Sequence, residues 1–279
     1  MKIGMNMLLW TDHFTSDHYG IVDKIKAVGY QGIEIPLGDG DGAHYSSVGN
    51  HLASIDMDVT CVTSLLEETN IASPDSAVRA AGLDRLKWAI DMAQATGAKN
   101  ICGPIHSAFA YFTGQPVIDD EKKWSIEMLQ KAGEYAQQAR VVLTPEALNR
   151  FECYLVNTMA ELKDLIDRVD HPNVKAIYDT HHGNIEEKSQ RDALLTIQPH
   201  LHHMHLSEND RGALGQGQVN WVEVFRTLKE INYDGWLTIE AFSRSSPEFS
   251  NAINVWREYS SLDEVYKNGF DFINKNWNS

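Results

Sequence analysis

The chain is poor in cysteine, poor in basic residues and without any long apolar run. Cys61, Cys102 and Cys153 are its only cysteines, odd in number and widely spaced. That argues against a disulfide framework and against a thiolate zinc cluster, and the three read as reduced, small core residues. Lys and Arg total 24 against 39 Asp and Glu, a formal charge of −15. Neutralising a phosphate backbone takes clustered cations, so nucleic acid is not an expected partner. No apolar stretch approaches the roughly 18 residues that a membrane span requires. The opening MKIGMNMLLW has one lysine and no small-residue cleavage site, so it is read as a first strand and not a signal peptide. A cytoplasmic protein is the default expectation.

What is present is a regular alternation. Candidate strands fall at 2–8, 31–35, 58–63, 99–103, 141–146, 174–179, 201–206 and 236–240. Between them lie stretches with helical spacing, such as Leu83, Leu86, Ile90 and Ala93, or Met159, Leu162, Leu165, Ile166 and Val169. A final helix begins around Leu262, Val265 and Tyr266 and ends near Trp277. Strands each followed by a helix imply a parallel sheet with helical crossovers. At 279 residues the best single solution is one (β/α)8 TIM barrel domain over 1–279, since such barrels take about 250 residues. A doubly wound dinucleotide-binding sheet is disfavoured, because LWTDHFTSD after the first strand lacks closely spaced glycines. The long or glycine-rich connections at 36–50, 103–119, 206–219 and 241–256 each follow a strand. In a barrel they would all open onto the carboxyl-end face, where barrel enzymes keep their chemistry.

The tract HLHHMHLSENDRG, residues 200–212, holds four histidines within six positions. Strand alternation puts His203 and His205 on one face and His202 and Met204 on the other. His205 is nearest the rim and is the candidate ligand, with His203 a layer deeper as a hydrogen-bonded core residue. Strand 5 ends in Glu146, strand 6 in Asp179 and strand 8 in Glu240, so four consecutive strands each deliver one potential metal ligand to the same rim. A single strand-end carboxylate is usually a solvated loop residue or a helix cap. Four on neighbouring strands are harder to dismiss. Three carboxylates and one imidazole suit Mn²⁺, Mg²⁺ or Co²⁺ better than a tetrahedral zinc site, with Mn²⁺ the first choice. Weaker signals have plain readings. GALGQGQ (212–218) is a turning loop before a helix near Trp221 capped by Asn220, and GDGDGAH (38–44) is a flexible loop. Trp10, closing strand 1, either walls the pocket or packs the rim, with the pocket favoured because aromatics line ligand sites.

The segments PEALNRFE (145–152), YDTHHGNIEE (178–187), HLSENDRGALGQGQVNW (205–221) and LTIEAF (237–242) resemble the D-tagatose 3-epimerase and D-allulose (D-psicose) 3-epimerase family of ketose 3-epimerases. The resemblance covers nearly the whole chain, and it implies a xylose-isomerase-like barrel that inverts C3 of a free ketose. It places the metal ligands on Glu146, Asp179, His205 and Glu240, with Glu146 and Glu240 doubling as the acid/base pair. It places substrate-orienting roles on Glu152, His182 and Arg211, and pocket-wall roles on Gly103, Phe109 and Glu34. Read without the resemblance, Arg211 is equally a surface loop charge, Glu152 a helix-face carboxylate and His182 a residue ahead of a helix. Many relatives carry an aromatic residue where this chain has Asn6, a substrate-contact position, so preference among ketoses is left open. Pro145 removes a ladder N–H and is expected to mark its strand's end. A homodimer or homotetramer acting on a small-molecule sugar is implied.

Two other enzyme readings use the same enediolate chemistry. One is an aldose–ketose or hydroxypyruvate-type isomerase, and the other is an epimerase of a keto-glycoside or keto-inositol. A DNA-repair nuclease of related barrel ancestry would need more histidines and a basic surface, and a non-catalytic sugar-binding barrel would not need two glutamates on one metal.

Overall fold

The alternating apolar runs become eight strands in the computed structural model, which describes residues 1–279. They are β1 (Lys2–Asn6), β2 (Gly32–Pro36), β3 (Asp58–Val62), β4 (Asn100–Gly103), β5 (Val142–Pro145), β6 (Ala176–Asp179), β7 (Leu201–Leu206) and β8 (Trp236–Ile239). The pairings are parallel and run in the order β5-β4-β3-β2-β1-β8-β7-β6. Isolated bridges from Leu143 to Val174 and from Glu146 to Ile177 draw β5 toward β6 and nearly close the barrel. The connecting helices include α1 (Tyr19–Val28), α2 (Gly42–Ser54), α3 (Ser76–Thr96), α4 (Asp119–Ala139), α5 (Met159–Val169), α6 (Thr180–Glu186), α7 (Gln190–Ile197), α8 (Trp221–Glu230), α9 (Pro247–Ala252) and α10 (Gly269–Asn278).

The helical stripes face the sheet as their spacing requires. Met159, Leu162, Leu165, Ile166 and Val169 of α5 are all buried. Thr158 opens that helix with a capping box, its side chain accepting from Glu161 N while Glu161 Oε2 accepts from Thr158 N at 3.1 Å. A cluster of 67 buried apolar residues joins the strands' outward faces to the helices. No helix is long and apolar enough to cross a membrane.

Three local expectations change. Strand 1 stops at Asn6 instead of running to residue 8, because the Asn6 side chain accepts from Leu8 N at 2.8 Å and caps a 3₁₀ turn over Met7–Leu9. The 36–50 connection shrinks to 37–41, because Asp41 caps α2 by accepting from His44 N at 2.9 Å. The C-terminal helix begins with a widened π turn over Glu264–Asn268 before α10. Pro145 is the last residue of β5, as its missing N–H requires.

Gly103 ends β4 with φ at +118°, and a Cβ there would sit 2.3 Å from the Thr63 carbonyl oxygen. It is a backbone hinge, not a wall of the cavity; Pro104 beside it reaches the lining. Its carbonyl accepts from Glu146 N at 3.0 Å, so its conformation sets where Glu146 leaves the barrel. Gly103→Ala should therefore lower the unfolding free energy by at least about 2 kcal/mol in urea titrations, through strain and overlap together. An unchanged midpoint would refute this role.

Candidate active site at the carboxyl ends of the strands

The four strand-end groups converge. Glu146 follows β5, Asp179 closes β6, His205 lies one residue inside the end of β7, and Glu240 follows β8. One ligand atom from each lies within 4.8 Å of all the others, and all four residues are buried. His205 Nδ1 is 3.4 Å from Glu240 Oε1, 3.8 Å from Asp179 Oδ2 and 3.9 Å from Glu146 Oε1. Neither His205 Nδ1 nor Glu146 Oε1 has a hydrogen-bond partner, although both are shut from solvent. Buried polar atoms are costly when left unpaired, and two of them aimed at one gathering of carboxylates fit a cation between them.

The layer beneath prepares that fit. Glu34 is fully buried in β2 and accepts from His205 Nε2 at 2.6 Å. With its proton committed on Nε2, the ring turns the Nδ1 lone pair toward the carboxylates, the way a carboxylate behind a metal-binding histidine usually orients it. Glu34 also accepts from Asn6 Nδ2 at 3.0 Å, Thr60 Oγ1 at 2.9 Å and Cys102 Sγ at 3.2 Å, while His203 Nε2 lies 2.9 Å from its second oxygen. His203 is thus the deeper core histidine that strand alternation predicts. Glu34 and Asn6 are part of the floor and do not line the cavity, a correction to the pocket-wall and substrate-contact roles expected of them. Both point inward from strands whose neighbours cover them. Asn6 Nδ2 also donates to Glu240 Oε1 at 3.1 Å and so fixes that carboxylate.

The charges confirm how crowded the floor is. Burial pushes the Glu146 carboxyl well above the usual range; His205 draws it down, and Glu240 and Asp179 raise it. Burial acts the same way on Asp179, but the Arg211 guanidinium and the nearby imidazoles outweigh it and hold that carboxyl well down. Burial would lower His205, yet Glu240 and Glu34 raise it well above an ordinary imidazole. Burial thus favours a proton on Glu146, and the carboxylates around His205 favour its charged form.

Above this floor opens a cavity of about 700 Å³, whose lining includes Glu146, Glu240, Glu152, His182, Arg211 and Phe109. Arg211 sits at φ +62° and donates through Nη1 to Asp179 Oδ2 and Glu240 Oε2, each at 2.8 Å. It is a buried site residue and not a surface charge. His182 lies inside α6, where Asp179 is the N-cap and accepts from His181 N at 2.6 Å. Asn149 orients two of the predicted groups: its backbone N–H donates to His182 Nδ1 at 3.1 Å, and its Nδ2 donates to Glu152 Oε1 at 2.9 Å. With Nδ1 accepting, His182 carries its proton on Nε2, which faces Arg211 Nη2 at 3.1 Å. The same Nε2 lies 3.5 Å from Glu146 Oε1. Burial pushes the Glu152 carboxyl up and keeps the His182 imidazole neutral.

Trp10 is turned away by the 3₁₀ segment and packs on Tyr266 at 5.9 Å between ring centroids, leaving Leu8 on the cavity wall in its place. Asn149, Ser207 and Glu208 were not singled out from sequence. Ser207 Oγ donates to Asp179 Oδ2 at 3.2 Å and to Glu240 O at 2.9 Å. Glu208, fully buried, accepts from Gly215 N, Val219 N and Trp221 Nε1 at 2.8–3.0 Å, which ties the GALGQGQ loop and seats Arg211. The hint available for Glu208 is an acid beside a glycine-rich loop that needs an acceptor. Asn220 caps α8 as predicted, accepting from Glu223 N.

Two measurements test the site as a cation trap. Because the Glu146 carboxyl and the His205 imidazole are both raised, an ion must compete with protons there and Mn²⁺ affinity should rise with pH. Calorimetry in buffers of differing ionisation enthalpy should detect the proton release. A flat pH profile would contradict this charge arrangement. Glu34→Gln should weaken Mn²⁺ binding about 10- to 100-fold with the fold retained, since it loosens the His205 ring; native affinity in that variant would contradict the role of Glu34.

A family model described as the xylose isomerase-like TIM barrel matches residues 22–275. The D-psicose 3-epimerase of Ruminiclostridium cellulolyticum is 31% identical, with 98% of this chain and 96% of that protein covered. The ketose 3-epimerase of Arthrobacter globiformis is 30% identical over 92% of this chain and 90% of its own length. The solved D-allulose 3-epimerase of Methylomonas sp. in complex with D-allulose superposes with a TM-score of 0.92 at 28% identity, covering 99% of this chain and 97% of that one. The strand-end carboxylates, the barrel that gathers them and these full-length likenesses agree: the chain belongs to the ketose 3-epimerases of the xylose isomerase-like TIM barrel family, isomerase-class enzymes acting on carbohydrates.

Proposed function

We propose that the protein epimerises free ketoses at C3, interconverting pairs such as D-fructose and D-allulose, D-tagatose and D-sorbose, or L-ribulose and L-xylulose. The observation that carries this reading is the pairing of Glu146 and Glu240, two buried carboxylates gathered with Asp179 and His205 at the floor of the chamber. Inverting a carbon centre requires one group to take a proton from one face and another to deliver one to the opposite face. A single base would favour return to the same face.

The proton at C3 lies beside a carbonyl but is too weakly acidic for an unaided carboxylate. A divalent cation held by Glu146, Asp179, His205 and Glu240, Mn²⁺ in this reading with Mg²⁺ or Co²⁺ as alternatives, would polarise the C2 carbonyl and lower that barrier. One of Glu146 and Glu240 removes the C3 proton, leaving a cis-enediolate, and the other protonates the opposite face; the roles exchange in the reverse direction. His182 Nε2 and Arg211 Nη2, 3.1 Å apart on the chamber lining, take a substrate oxygen and stabilise its growing negative charge. Glu152, held by Asn149, receives a neighbouring hydroxyl and fixes the ketose against rotation. Residues 1–279 act as one catalytic domain in this scheme, in a cytoplasmic homodimer or homotetramer.

The test is incubation of Mn²⁺-loaded protein in D₂O with D-fructose, D-tagatose and L-ribulose. Deuterium should enter at C3 and the C3 epimer should appear on chromatography; an aldose product would identify a carbonyl-transfer isomerase instead. Glu146→Gln and Glu240→Gln should each cut C3 inversion by at least about 10³-fold, the order expected for losing a general acid or base, with the melting temperature retained. Near-native turnover in either variant would remove the two-carboxylate scheme.

A further inference from the structure

The chamber is larger and more apolar than a bare ketose requires. A ketohexose has twelve heavy atoms, and even if each took the roughly 30 Å³ share of a molecule of liquid water it would occupy about 360 Å³. That is near half of the 700 Å³ present. The rest of the wall has a definite character. An aromatic shelf leads outward from the floor: the Arg211 guanidinium lies over Phe242 at 4.8 Å, and Phe242 meets Phe249 of α9 edge to face at 5.6 Å. Leu66 also lines the chamber, yet it is 48% exposed, a large apolar side chain with nothing laid against that surface. The exposed polar side chains of Asp12, Glu68 and Asn254 complete this outer part.

Aromatic and aliphatic faces set among carboxylate and amide acceptors are the chemistry of a sugar-binding wall. The C–H face of a pyranose packs on the rings, and its hydroxyls donate to the acids. The acids Asp12 and Glu68 disfavour a phosphate or carboxylate substituent, which would meet like charge, while the lining cation Arg85 is engaged with the Leu37 carbonyl at 2.6 Å. We infer that the preferred substrate is a ketose bearing a further glycosyl unit on an oxygen away from C3, free ketoses being smaller substrates of the same site. Its ketose end lies over Glu146 and Glu240, and its second ring rests on the Phe242–Phe249 shelf and Leu66. This rests on the C3-epimerase reading.

The experiment compares kcat/KM of the Mn²⁺-loaded enzyme for D-fructose, for lactulose (a galactosyl unit on O4 of fructose) and for isomaltulose (a glucosyl unit on O6), read as deuterium entry at C3. At least one ketodisaccharide should exceed D-fructose about tenfold. Leu66→Gln and Phe249→Ala should each reduce that preference at least fivefold while the D-fructose value stays as it was. Turnover of D-fructose with both ketodisaccharides equal or poorer overturns the extended substrate and leaves C3 epimerisation standing. Failure of every ketose to exchange at C3 overturns both. A ketodisaccharide preference untouched by both substitutions overturns the placement of the second ring.

Discussion

Three carboxylates and an imidazole held out of water within 4.8 Å of one another are a concentration of like charge that folding cannot tolerate without compensation. The floor of this barrel is organised around supplying it. Arg211 reaches two of the acids, Glu34 holds the far side of His205, and the raised carboxyl of Glu146 records the charge still missing. The same gathering of donor atoms could hold a divalent ion, whose charge would offset that of the carboxylates. Polar groups packed this closely move little, and a carbon-bound proton can be transferred only by groups held in place before the substrate arrives.

The positions of the outer groups depend on caps and loops more than on strands. Asp179 is both a ligand candidate and the N-cap of α6, so the helix that carries His182 is aligned by the residue it serves. Asn149 couples His182 to Glu152, and Glu208 pins the loop that brings Arg211 over the floor at a left-handed backbone angle. Each of these side chains satisfies backbone N–H groups that a buried loop would otherwise leave unpaired. Structural hydrogen bonding and positioning for chemistry are here the same contacts.

The barrel and its four strand-end groups were legible because they depend on periodicity. Alternation put His203 and His205 on one face and distance from the rim separated them, and the fold keeps that assignment: His203 reaches Glu34 in the layer below, while His205 also faces the carboxylates. Roles that depend on where a chain turns were not legible. The cavity role of Asn6 is implied by the family resemblance and that of Trp10 by its being an aromatic closing strand 1, and neither signal shows where strand 1 stops. A single side-chain cap at Asn6 ends that strand and rotates residues 7–10, so Leu8 lines the cavity while Trp10 packs on Tyr266. Glu34 lies at the end of an apolar run like the true rim acids, and only the stagger of neighbouring strands places it beneath them.

The amino-acid sequence by itself determined the alternation of strand and helix, and with it the rim on which Glu146, Asp179, His205 and Glu240 had to meet, because side-chain period and chain length leave few ways to bury so many apolar faces. The tertiary structure alone decided which polar side chains stand in the chamber and which support it from below. That choice is made by hydrogen bonds between residues as far apart as Asn6 and Glu240, whose partners are set by strand stagger and loop capping across the closed barrel and not by any local pattern.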